Sequence, residues 1–169
     1  MRLALYQPDI PQNTGTILRL AACLGVPVEV ILPAGFDLSD RALRRAGLDY
    51  LEHVALTRHE SWQAFEAWRR ASGRPRLVLL TTRGDRAHVD FAFHINDILL
   101  LGRESAGAPA EVHAAADARL RIPIKAGLRS LNIATAAAGC KRTETRRTPA
   151  ARWCLSLTRI VVKALLEPL

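Results

Sequence analysis

A chain of 169 residues, 49% of them hydrophobic, is the size of one domain and holds enough apolar material for a core. Its apolar runs, Ile98 to Leu101 and Ile160 to Val162 among them, are too short to cross a bilayer, and Pro8, Asp9 and Pro11 interrupt the first where a signal peptide would continue, so a soluble protein with no membrane partner is expected. A formal net charge of +8 favours a polyanionic partner, while Cys23, Cys140 and Cys154 are spaced too widely for a paired metal or redox motif and fit free thiols in a reducing cytoplasm.

Leu3 to Tyr6 reads as a short buried strand ended by Pro8. Asn13 or Thr14 then offers an N-cap for an apolar helix that runs to Leu24 and stops at Gly25. Val28 to Leu32 reads as a second strand, Ser39 to Ala46 as a short basic helix ended by Gly47, and Tyr50 to Leu56 as a third strand. In a helix from Ser61, Trp62, Phe65 and Trp68 recur every three residues as one apolar stripe, a core face rather than a base-stacking platform. Arg69 and Arg70 lie near its C-terminal dipole, ahead of Gly73. Leu77 to Leu80 and Ile98 to Leu101 are continuous apolar runs, as strands covered on both faces require. Such alternation predicts an α/β fold with a mainly parallel sheet flanked by helices, and no domain boundary is visible before about residue 139.

The common nucleotide motifs are missing. No two of the ten glycines stand two residues apart, which excludes GxGxxG, and Ala108 and Pro109 follow Gly107 where a P-loop needs Gly-Lys-Ser/Thr. His53, His59, His88, His94 and His113 make no HxxxH or HExxH pattern, so no metal is expected, and no GxSxG elbow supports a hydrolase. What remains is three segments at the C-terminal ends of expected strands, where parallel α/β sheets form ligand sites: Pro8 to Arg19, Leu101 to Pro109 and Ile122 to Asn132. Each combines glycine or proline with hydrogen-bonding groups. One such segment alone is an ordinary αβ turn; three together point to a ligand.

These segments resemble the SPOUT superfamily of methyltransferases, in particular its small tRNA (cytidine/uridine) 2′-O-methyltransferases acting on the wobble nucleotide. The matching stretches are Leu5-Tyr6-Gln7-Pro8-Asp9-Ile10-Pro11-Gln12-Asn13-Thr14-Gly15 with Arg19, Leu101-Gly102-Arg103-Glu104-Ser105-Ala106-Gly107-Ala108-Pro109, and Ile122-Pro123-Ile124 leading to Arg129-Ser130-Leu131-Asn132. Arg44-Arg45-Ala46-Gly47-Leu48-Asp49-Tyr50 and Thr57-Arg58-His59 resemble the wobble-specific branch, and the likeness runs from Met1 to about Ala138. The resemblance implies a C-terminal trefoil knot, a homodimer, a tRNA anticodon stem-loop as partner, and S-adenosylmethionine as cofactor. It implies that backbone groups of Leu80, Gly102, Ile122, Ser130 and Leu131 hold the cofactor. Glu104 falls with them, either organising the loop or touching substrate. It also implies that Arg19 serves the 2′-hydroxyl while Asn13, Ser130 and Asn132 order the site. A guanidinium rarely loses its proton, so Arg19 is expected to stabilise the developing alkoxide rather than act as a base.

Two departures stand out. Ala108 replaces the family's usual leucine, and Gly139 to Pro149 is expected to break the long amphipathic helix that the family continues after Ala138. Residues 1–138 are therefore expected to form the methyltransferase domain and 139–169 an atypical tail. In that tail a basic arm precedes a short helix from Ser156 to Leu166, where Leu157, Ile160, Val161, Ala164 and Leu165 share one face. The competing readings are a catalytically weakened RNA-binding module of the same fold and a 2′-O-methyltransferase acting on rRNA. No extra RNA-binding domain accompanies the chain to favour the latter.

Overall fold

The computed structural model describes residues 1–39, 51–125, 127 and 130–146. The expected basic helix from Ser39 to Ala46, Ser39 apart, and the expected tail helix from Ser156 to Leu166 lie outside these residues, as do Arg129 and Cys154.

Seven strands among the described residues form one sheet: β1 (Arg2–Tyr6), β2 (Val28–Ile31), β3 (Leu56–His59), β4 (Leu77–Leu80), β5 (Arg86–Ala87), β6 (Ile98–Leu101) and β7 (Ala118–Arg121). Their order is β3-β2-β1-β6-β4-β7-β5, and every neighbouring pair is parallel. Among the described residues four helices cover it: α1 (Pro11–Leu24), α2 (Trp62–Ala71), α3 (Ala110–Ala115) and α4 (Ile133–Arg146). The continuous apolar runs follow from this arrangement, because successive residues of a strand bury opposite faces. Leu99 and Leu101 join Leu3, Leu5 and Val78 beneath Ile17, Leu18 and Ala21 of α1 and Ala134, Ala137 and Cys140 of α4. Ile98 and Leu100 join Ala4, Leu77 and Leu79 beneath Trp62 and Phe65 of α2 and Val112 of α3.

Local chemistry sets the helix ends. Gly25 adopts a left-handed φ of 62°, its N–H reaching Ala22 O while the Val26 N–H reaches Ala21 O, a Schellman ending. Ser61 caps α2 through its hydroxyl, which accepts from the Ala64 N–H at 3.1 Å.

Four expectations need correction. Helix α1 starts at Pro11, not at Asn13 or Thr14: proline at the first helical position lacks the N–H that would go unbonded there, and Ile10 precedes it with no side-chain cap. The third strand is β3, paired with β2 from Val28↔Leu56 to Ile31↔His59, while Leu51–His53 is a 3-10 turn. Its register follows His59, which bonds buried Glu29 at 2.8 Å and packs against Phe65 and Trp68. Arg69 does not serve the helix dipole from solvent; it is 2% exposed, paired to Glu66 at 2.8 Å and Asp117 at 3.2 Å, and donates to Pro75 O. Finally, the chain does not break at Gly139, since α4 runs to Arg146 with Cys140 buried under the sheet. Residues 139–146 are therefore helix rather than an arm.

Candidate functional site

Parallel strands all end at one edge of the sheet. From β1 the chain moves outward through β2 and β3, whereas β6, β4, β7 and β5 lie on its other side. A crevice forms where the winding direction reverses. A cavity of about 560 Å³ lies at this edge, walled by the start of α1 and by the segments that leave β4, β6 and β7. Asn13, Leu80, Gly102, Glu104, Ile122, Ser130, Leu131 and Asn132 all line it. Arg19 does not; it stands on the exposed stripe of α1 with Gln12, Thr16 and Cys23.

A chain of hydrogen bonds joins three of the walls. The Asn132 amide donates to Asn13 Oδ1 at 2.9 Å, and the Asn13 amide donates to Glu104 Oε1 at 3.3 Å. Glu104 Oε2 accepts from the Asp9 backbone N–H at 3.1 Å. Asn132 Oδ1 also accepts from the Ala134 N–H at 2.9 Å, which caps α4. Asn132 thus fixes α4 and the loop before it against α1, and Glu104 fixes α1 against the loop after β6.

The two carboxyls in this chain do not titrate alike. Burial, followed by the bond to Asp9, raises the pKa of Glu104. The Glu104 bond, and then those from Ser105, lower the pKa of Asp9. Ser105 Oγ donates to Asp9 Oδ2, and Asp9 Oδ1 is buried without a hydrogen-bond partner.

Glycine is required where backbones meet. In the loop after β6, Arg103 and Gly107 exchange backbone bonds of 2.9 and 2.7 Å, and Gly107 takes a left-handed φ of 70°. A Cβ on Gly102 would stand 2.7 Å from the Gly107 carbonyl carbon, so any side chain there forces the loop open.

The sequence reading missed a fourth wall. Thr81, Thr82 and Arg83, leaving β4, line the cavity, and His113 of α3 faces it as well. The signal was present: Thr81-Thr82-Arg83-Gly84 follows an apolar strand run as the segments after β1 and β6 do. Burial, then Arg83 and Arg119, lower the pKa of His113, which keeps its imidazole neutral. Ile10, Ile124 and Leu131 line the cavity while remaining 37–46% exposed, an apolar rim suited to a ring system or a second surface. Among the described residues no cluster of metal-ligating side chains occurs. The site therefore offers backbone amides and carbonyls, neutral amide side chains, the Glu104 carboxyl and the guanidinium groups of Arg83 and Arg103, equipment for holding and orienting a ligand.

A model of the SpoU rRNA Methylase family matches residues 1–140. A protein of Beijerinckia indica named tRNA (cytidine(34)-2′-O)-methyltransferase is 62% identical over 136 residues, covering 80% of this chain and 84% of its own. An Escherichia coli protein of the same name is 42% identical over 138 residues, covering 80% and 86%. Among solved structures, one described as "Structural insights into the 2-OH methylation of C/U34 on tRNA" is 44% identical, with a TM-score of 0.78 over 86% of this chain and 94% of that one. The SpoU methyltransferase AviRb from Streptomyces viridochromogenes, in complex with the cofactor AdoMet, is 30% identical, with a TM-score of 0.77 over 87% of this chain and 57% of that one.

Proposed function

This chain belongs to the SpoU methylase family, and from that premise we propose that it transfers a methyl group from S-adenosylmethionine to the ribose 2′-hydroxyl of wobble nucleotide 34, cytidine or uridine, in the anticodon loop of tRNA. The observation that carries the reading is that three segments distant in sequence close around one cavity and are cross-tied through Asn13, Glu104 and Asn132. Tight relatives covering 84–94% of their own length bear the tRNA wobble name or description, which favours tRNA over rRNA as substrate.

The residues present fit a bent nucleoside cofactor. The cavity lies within the usual range for small-molecule sites, and the backbones of Leu80, Gly102 and Ile122 stand on its wall, where main-chain groups can read an adenosine without titratable side chains. The cofactor supplies the electrophilic methyl carbon. Leu80, Gly102, Ile122, Ser130 and Leu131 would hold it, Glu104 would stiffen the loop beneath it through its bonds to Asn13 and the Asp9 N–H, and Asn13 and Asn132 would order the approach to the hydroxyl. Arg19 stabilises the oxyanion that develops there.

Two further features belong to the reading. The last strand, β7, lies inside the sheet between β4 and β5, an order that a threaded chain end produces, and this supports a C-terminal trefoil knot. Arg19 stands off the cavity wall, which supports a homodimer that sets the α1 surface of one subunit against the cavity of the other. The test is mass spectrometry of tRNA nucleosides from cells with and without the protein. The 2′-O-methylated wobble nucleoside disappears on deletion; an unchanged profile of tRNA, with a loss in rRNA or in no RNA, overturns the reading.

A further inference from the structure

We infer that Arg83 and His113 form a subsite for an oxyanion at the end of the cavity between β4 and α3, taking either the carboxylate of the cofactor's amino-acid arm or a phosphate of the RNA. The inference rests on the cofactor reading of the cavity and adds a charged contact to a site whose other wall arginine, Arg103, is engaged with Gln7 O at 3.2 Å and faces Asp9 at 3.9 Å.

The turn that presents Arg83 is tightly built. The Thr81 N–H donates to Leu120 O at 2.8 Å, the Arg83 N–H to Thr81 Oγ1 at 3.3 Å, and the Arg121 guanidinium to Gly84 O at 2.9 Å. Gly84 lies so close to β7 that a Cβ on it would stand 2.3 Å from the Leu120 carbonyl carbon. Residues 81–84 are thus clamped to β7, and the position of Arg83 on the cavity wall follows from that clamp.

The neighbouring cations are otherwise engaged. Arg119 donates to His113 O at 3.1 Å and faces Asp85 at 3.5 Å, and Arg121 is held on Gly84 O. Among the described residues no carboxylate pairs with Arg83. An exposed arginine on the wall of a ligand cavity, beside an imidazole kept neutral and able to donate one hydrogen bond, suits a carboxylate or phosphate, whose paired oxygens match the guanidinium fork. The sources differ in where the anion is carried, so they separate by ligand.

Calorimetry on the full chain and on Arg83→Ala, with S-adenosylhomocysteine, with 5′-methylthioadenosine and with tRNA, decides the matter. Methylthioadenosine keeps the nucleoside and thioether but has no carboxylate. If the cofactor supplies the anion, Arg83→Ala weakens S-adenosylhomocysteine by about tenfold, the worth of one charge-assisted bond, and leaves methylthioadenosine unchanged. If the RNA supplies it, both small ligands bind the variant as they do the native chain, while tRNA affinity falls and its salt slope drops by about one. Arg83→Lys restores part of either loss. Native affinity for all three ligands in an Arg83→Ala protein of unchanged melting temperature overturns the inference. Failure of the native chain itself to bind S-adenosylhomocysteine overturns the cofactor reading instead, and the tRNA arm then decides the subsite alone.

Discussion

Folding moves the pKa values of Glu104 and Asp9 in opposite directions, and each shift makes stability depend on pH. A carboxyl whose pKa is raised on folding, as at Glu104, contributes stability that is full below the ordinary carboxyl range of about 4 and is lost as pH rises through its folded value. Asp9, lowered, contributes above that range and loses its share as pH falls through its own folded value. Glu104→Gln replaces the ionisable group with an amide that can still accept from Asn13 and cannot ionise. Because one amide oxygen cannot accept from both Asn13 and the Asp9 N–H, its melting temperature should start from a fixed offset near pH 4 and rise relative to the native protein's toward pH 7; a difference that stays constant across this range would mean that Glu104 is ionised in the fold. Arg19 has a different part. Because it stands off the wall that holds the cofactor, Arg19→Ala should leave S-adenosylhomocysteine affinity unchanged and lower methyl transfer by a factor of about 100 to 1000, as removal of one oxyanion donor does. Single-turnover assays beside calorimetry read the two effects separately.

Helix α4 shows what an element gains from its neighbours. Gly139 and Thr143 argue locally against a helix, yet the element persists to Arg146. Asn132 caps its start, and Ala134, Ala137 and Cys140, three residues apart, lie against the face shared with α1. Burial of Cys140 raises its thiol to about 12, so it is inert apolar filling rather than a reactive group. Gly139 takes no left-handed φ, and a Cβ on it would meet nothing within 4 Å. Gly139→Ala should therefore stabilise the protein by about 0.5–1 kcal/mol, the backbone entropy that glycine forfeits in a helix. Urea unfolding measures this, and a lower midpoint would show that α4 bends at this residue.

At the scale of the whole molecule, the proposed role of Arg19 off the cavity wall requires a second subunit to bring it to the site. Mixing Arg19→Ala with Gly102→Val tests the point. Each variant is inactive alone, one lacking the oxyanion donor and the other a closed cofactor loop, whose carbonyl carbon lies 2.7 Å from the added Cβ. If Arg19 serves the partner's cavity, dimers of one subunit of each kind contain one complete site, and co-refolded mixtures regain activity. If it serves its own, every mixed dimer stays dead. A net charge of +8 should also make tRNA binding fall steeply with salt, because phosphate contacts release counterions.

The cavity segments after β1 and β6 were legible in the sequence because their signals are local: an apolar run ends, glycine or proline follows, and hydrogen-bonding side chains stand where a ligand would be. The parallel sheet was legible for the same reason, since Leu77 to Leu80 and Ile98 to Leu101 are apolar at every position and need cover on both faces. Tertiary structure alone decided the rest. Strand β3, with Thr57 and Arg58 exposed at the sheet edge, carries no apolar run and is placed by the pairing of His59 with Glu29. Burial of Arg69 depends on Asp117, 48 residues further along the chain, and the persistence of α4 depends on α1. Arg83 joins the site only because Gly84 is pressed against β7. Such placements rest on contacts between residues far apart in sequence, whose energies are absent from any local window, whereas strand runs, caps and turns are settled within a few residues by sterics and hydrogen bonding.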